Sequence, residues 1–123
     1  MSLHNPNAAQ MYKQYFERFL SPGENILNAA PSIHIETSVK YGRGTGDGTI
    51  AITSSRIIHV FLKANFSGPG FGLNRSDIEV IKKSRSFVPL SSNLKVSGVT
   101  TGNQWVHNFS LGNRFLNEVL GFI

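Results

Sequence analysis

Four histidines are the side chains best suited to chemistry in this sequence: His4, His34, His59 and His107. Imidazole titrates near neutral pH and binds transition metals, so two or three at helical spacing would mark a metal or proton-transfer site. No H-x-x-x-H or H-E-x-x-H pairing occurs. His34 and His59 instead lie among Ile and Val residues in strand-like runs, where a metal would require tertiary approach. The seven Asp and Glu are spread singly and offer no paired acid and base. Serines are plentiful, but no G-x-S-x-G elbow exposes one as a nucleophile. The absence of cysteine removes thiol nucleophiles, iron–sulfur clusters, cysteine zinc sites and disulfides. The expectation is a protein with no catalytic residues, no metal site and no cofactor.

The run Gly42-Arg43-Gly44-Thr45-Gly46-Asp47-Gly48 resembles a phosphate cradle only in composition. Such cradles stand between a strand and a helix N-terminus, and a P-loop adds Lys and Ser or Thr. Here a strand pattern follows, so the run reads as a loop joining two strands. Phe61, Phe66 and Trp105 could stack on bases, yet the core needs most of the nine Phe, and nucleic acid is disfavoured as a partner. The formal charge of +5 favours anionic surfaces. With only 15% charged residues, and with Lys82-Lys83 and nearby Arg85 as the one short basic run, the excess reads as serving solubility.

These residues must be carried by one domain, since 123 residues with 40% hydrophobic and 11% aromatic content make a single core. No apolar run is long enough to span a bilayer, and no secretory leader is visible, so a cytoplasmic protein is expected. Asn5 and Pro6 open a helix in which Met11, Tyr12, Tyr15, Phe16, Phe19 and Leu20 form one broad apolar stripe. Ser21-Pro22-Gly23 ends it. Strand-like runs follow: Asn25 to Thr37, with Pro31 marking a bulge or edge, then Thr49–Thr53 and Arg56–Leu62 joined as a hairpin by Ser54-Ser55. Phe71–Leu73, Ile78–Ile81, Ser86–Val88, Asn93–Val96 and Gln104–Leu111 continue the pattern, with a turn-rich Ser97–Asn103. A last helix, capped by Ser110, carries Phe115, Leu116, Val119, Leu120 and Ile123 on one face, with Arg114 and Glu118 paired four residues apart.

Pro22-Gly23-Glu24 before the first strand, and Gly48-Thr49-Ile50-Ala51-Ile52-Thr53-Ser54-Ser55-Arg56-Ile57-Ile58, resemble the opening and the central hairpin of PH-like domains. The similar groups are GRAM, GLUE and the bacterial PH (YokE-like) domains. Asp77-Ile78 is similar to that family's turn into its fifth strand. The resemblance spans residues 22–123 and implies a mainly β (α+β) fold, a bent seven-stranded antiparallel sheet or barrel closed by a C-terminal helix. Residues 1–21 would be an N-terminal helical extension. In the hairpin, Thr53 can satisfy a backbone donor of the turn, and Arg56 can reach a carboxylate or carbonyl while its stem covers the sheet.

By the same resemblance, a lipid-binding version would grip an anionic or phosphoinositide head group through the first inter-strand loop. The basic residues on offer there are Lys40 and Arg43, with Lys63 at the end of the third strand. Three cations contribute about 1 kcal/mol each at an anionic surface, a weak attachment. The function expected first is therefore a non-catalytic interaction module that binds a protein partner through a strand edge or groove, or self-assembles as a homo-oligomer. A peripheral adaptor at the inner membrane surface is the alternative. A small ligand-binding protein or enzyme with a pocket in the sheet is the third, and inward-facing polar residues would be its mark.

Overall fold

Pro6 begins helix α1 (Pro6–Phe16), where its fixed φ suits the first turn and its missing amide hydrogen costs nothing. The computed structural model describes residues 6–38, 42–65, 68–85 and 91–121. Asn5, the expected cap, the strand expected at 86–88 and Ile123 lie outside the described residues, as does the side chain of Glu118. The strands are β1 (Ile26–Ser38), β2 (Gly42–Thr53), β3 (Arg56–Asn65), β4 (Gly68–Asn74), β5 (Ile78–Arg85), β6 (Ser91–Thr100) and β7 (Asn103–Gly112). A 3-10 turn at Arg75–Asp77 separates β4 from β5, and α2 (Asn113–Leu120) closes the order.

All seven strands form one antiparallel sheet in the order β4-β3-β2-β1-β7-β6-β5. β1 runs along β2 for nearly its whole length but pairs with β7 only from Ser32 to Ile35. That short contact is the corner about which the two halves of the sheet fold toward each other. Inward residues from both halves meet in one cluster, with Ile50, Ile52, Ile57 and Leu73 facing Ile78, Leu94, Val96 and Phe109. α2 enters the same cluster through Phe115, Leu116 and Val119, each side chain removing enough apolar surface to contribute about 2 kcal/mol. The fold is the PH-like one that the sequence resembles.

α1 lies on the outside of this sheet. Phe16 packs with Ile26, Ala29, Ala51 and Ile58, the outward residues of β1, β2 and β3, with Ala9, Tyr12, Phe19 and Leu20 around them. The stripe that faces the sheet is therefore narrower than expected. Met11 is 66% exposed and Tyr15 41%, because a helix resting on a sheet covers only one line of side chains. The helix also stops at Phe16 rather than running on to Leu20: its carbonyl accepts from the Phe19 and Leu20 amides, which winds the chain into a turn.

Three further expectations are corrected. Gly42–Gly48 is part of β2, because β1 extends alongside and pairs with it residue by residue. Gly48 is needed there: a Cβ would collide with the Val60 carbonyl and crowd the His59 ring. Ser97–Asn103 shrinks to the two-residue turn Thr101-Gly102, both at positive φ, so Ser97–Thr100 belong to β6. Ser110 is a β7 residue, and α2 starts three residues later at Asn113, whose Oδ1 accepts from the Ser92 hydroxyl. Pro31 sits at the place its chemistry allows, one residue before the β7 ladder begins at Ser32.

Candidate functional site

The tightest polar site ties α1 to the β2–β3 hairpin. Thr53 Oγ1 accepts from the amides of Ser55 (3.3 Å) and Arg56 (3.0 Å), which shapes the turn. Its own proton goes to Glu24 Oε2 at 2.8 Å. Arg56 donates from Nε to Glu24 Oε2 at 2.9 Å and from Nη2 to both Glu24 Oε1 and the Phe19 carbonyl. The Arg56 guanidinium holds the Glu24 carboxyl down to about 2, against the ordinary 4.5, and outweighs the opposing effect of burial. Both Glu24 carboxylate oxygens, the Thr53 hydroxyl and Arg56 Nε and Nη2 are engaged within the protein. The site is a clasp, and Pro22-Gly23-Glu24 was its sequence signal.

Inside the bend, three histidines come together that no spacing in the sequence links. His34 on β1, His59 on β3 and His107 on β7 lie among Phe61, Phe71 and Phe109. His34 Nε2 and His107 Nδ1 are 3.0 Å apart, so one ring donates and the other accepts. Ser32 Oγ meets His59 Nδ1 at 2.8 Å. The Phe71 and His107 rings stack with centroids 4.5 Å apart. Trp105 donates to Thr100 Oγ1, which donates to Asp77 Oδ2, both at 2.9 Å. Inward-facing polar residues are thus present, the mark set for a pocket in the sheet. Part of their hydrogen-bonding capacity is used within the cluster, Ser32 with His59 and His34 with His107. Among the described residues, no three His, Asp or Glu side chains are placed to hold a metal ion. A period of two (Ile57, His59, Phe61; Trp105, His107, Phe109) was the available signal that these rings face inward.

Lys40 lies outside the described residues, and so do the side chains of Arg43 and Lys63. Arg43 stands on β2 opposite Thr37, and Lys63 on β3 in the stretch where the register with β4 is irregular. Neither described helix is long and apolar enough to cross a membrane. An open cleft of about 370 Å³ between β1 and the start of α2 is lined by Asn28, Pro31, Arg114 and Phe115, with no convergent polar groups.

The two sheet edges differ sharply. Along β4, Gly68, Pro69, Gly70 and Gly72 interrupt the strand, and Phe19 and Arg56 lie over Gly70 and Gly72. β5 is an eight-residue strand whose ladder with β6 is irregular between Ile78 and Val80 and unbroken from Val80 to Arg85, and in the sheet order only β6 lies beside it. Its outward residues Val80, Lys82 and Ser84 are exposed and continue as rows across β6 and β7: Val80–Ser97–Val106, Lys82–Lys95–Asn108 and Ser84–Asn93–Ser110. Lys82 thus faces Lys95 directly, a pairing that Lys82-Lys83 alone did not disclose.

No protein-family model matches the sequence, and no curated protein matches it. Solved structures do. The C-terminal domain of an unknown protein from Leishmania infantum superimposes with a TM-score of 0.62 at 14% identity, over 91% of each chain. The Vps36 N-terminal PH domain superimposes with a TM-score of 0.53 at 18% identity, over 84% of this chain and 86% of that one. The chain is similar to both in fold, and the second likeness makes that fold PH-like.

Proposed function

We propose that this chain is a non-catalytic PH-like interaction module that takes up an extended segment of a partner protein along the β5 edge. One observation carries the reading: β4 is broken by Gly and Pro and covered by Phe19 and Arg56, while β5 pairs with β6 in unbroken register from Val80 to Arg85 and, among the described residues, has no strand on its other side. An uncovered edge presents a row of backbone donors and acceptors that another strand can complete. The interior pairs Ser32–His59 and His34–His107 lie inside the bend, with Ser32, His34 and His59 buried, which fits a module that meets its partner at the edge rather than in the interior. Resemblance of the Gly48–Ile58 hairpin to GRAM, GLUE and bacterial PH domains supports a place among those groups.

Selection from a library of displayed peptides against the immobilised chain tests the proposal, with the binding surface mapped by amide chemical shifts. Bound peptides that shift residues 78–85 support it. Vesicle co-sedimentation is the counter-test: binding to anionic or phosphoinositide vesicles that is lost in Lys40→Ala and Arg43→Ala, with no peptide recovered, overturns it in favour of a membrane adaptor.

A further inference from the structure

We infer that the segment taken up at β5 is acidic, its carboxylates seated over Lys82 and Lys95. This inference rests on the edge reading above and adds the chemistry of the occupant. Lys82 and Lys95 are directly opposed in the β5–β6 ladder and both are exposed. Like charges in that position work against the pairing that brings them together. Their neighbours along the two strands on the same face, Val80, Ser84, Asn93 and Ser97, are all uncharged. Among the described residues, the carboxylate that shares these outward rows is Asp47. It stands four strand spacings from β5, about 19 Å away and beyond the screening length at physiological salt. The row Lys82–Lys95–Asn108 therefore holds two cations and no carboxylate.

The direction of the occupant is also written in β5. Asp77 and Glu79 stand at its start, and Lys82 and Lys83 toward its end. Acidic residues of an added strand therefore belong opposite residues 82–85. In such a strand, alternate side chains share one face at about 6.8 Å intervals, the interval that separates Val80, Lys82 and Ser84. A membrane supplies phosphates but nothing for the backbone groups of the edge. A second copy adding antiparallel through its own β5 repeats Val80, Lys82 and Ser84 on this face and brings no carboxylate at those positions to Lys82 and Lys95. An acidic extended peptide answers both the backbone row and the charge.

The test uses the whole chain and three labelled peptides as long as β5 (8 residues), alternating Val with Glu, Thr or Lys, read by fluorescence anisotropy. The Glu peptide is expected to bind about tenfold or more tighter than the Thr peptide at low salt, and to lose that advantage near 0.5 M salt. Lys82→Glu and Lys95→Glu are each expected to weaken it by about tenfold, while Lys82→Arg and Lys95→Arg retain binding. A melting temperature equal to or above that of the parent chain in Lys95→Glu shows that the loss is not unfolding. Equal binding of the Glu and Thr peptides, unaffected by Lys82→Glu, overturns the acidic occupant and leaves the edge reading standing. Binding of none of the three overturns both. Anionic vesicles held through Lys82 and Lys95 while every peptide fails would assign the face to a membrane instead.

Discussion

β4 and β5 are both terminal strands of one sheet, yet they are finished in opposite ways. β4 is short, carries Pro69 and three glycines, and lies under Phe19 and the Arg56 side chain. β5 has an unbroken ladder with β6 from Val80 to Arg85 and an outward face of Val80, Lys82 and Ser84. An edge is an aggregation hazard unless it is broken, covered or charged. β4 uses the first two devices, and β5, whose ladder is broken only between Ile78 and Val80, relies on the third. A charged edge differs from a covered one in that it still admits a partner of the right sign, and this asymmetry is the basis of the functional reading.

The largest expected effect is on the covered side. Arg56→Ala removes the cation from a Glu24 side chain that is only 6% exposed and leaves the carboxylate without its partner. A loss of about 3 kcal/mol is expected in chemical denaturation, together with loosening of the turn that follows α1. Gly70→Ala strikes the same cover from below. A Cβ there comes within 3.1 Å of Phe19 Cζ and within 2.6 Å of the His59 carbonyl oxygen, for an expected cost of about 2 kcal/mol. Both changes should expose the β4 edge and promote association between chains, measurable by sedimentation, while peptide binding at β5 persists.

Acid provides a graded version of the first change. Folding holds the Glu24 pKa at about 2, below the ordinary 4.5 that the unfolded chain shows. The clasp's contribution is therefore complete above pH 4.5 and disappears as pH falls toward 2. About 1–2 kcal/mol should be lost over that window after allowance for solvent screening. In Glu24→Gln the part of the acid sensitivity due to this group should vanish. The smallest effect is expected on the open side, and its sign is opposite. Lys95→Glu turns a repulsive cross-strand pair into an attractive one and should stabilise the chain by about 0.5 kcal/mol.

The sequence disclosed the fold where chemistry is local. Ile50, Ile52 and Ile57 share the inward face of a hairpin with a two-residue turn, and Thr53 and Arg56 have side chains that explain that turn without further context. Phe115, Leu116 and Val119 likewise declare an amphipathic helix. Register was not legible. Gly42–Gly48 has the composition of a loop, and only the long β1 beside it makes it a strand. The histidines meet because β1, β3 and β7 converge inside the bend, and neither separation nor spacing along the chain encodes that approach. Lys82 and Lys95 stand thirteen residues apart, and their opposition follows from the β5–β6 register alone. The elements were readable from residue types; the candidate site is a product of pairing.

The most direct measurement of the central claim is amide hydrogen exchange along residues 78–85 of the free chain, followed at several protein concentrations. An open edge predicts that every second β5 amide, the set pointing away from β6, exchanges rapidly at all concentrations, while the alternating set and the amides of β6 are protected. Protection of both sets in the free chain would show that the β5 edge is already occupied, and would contradict the account.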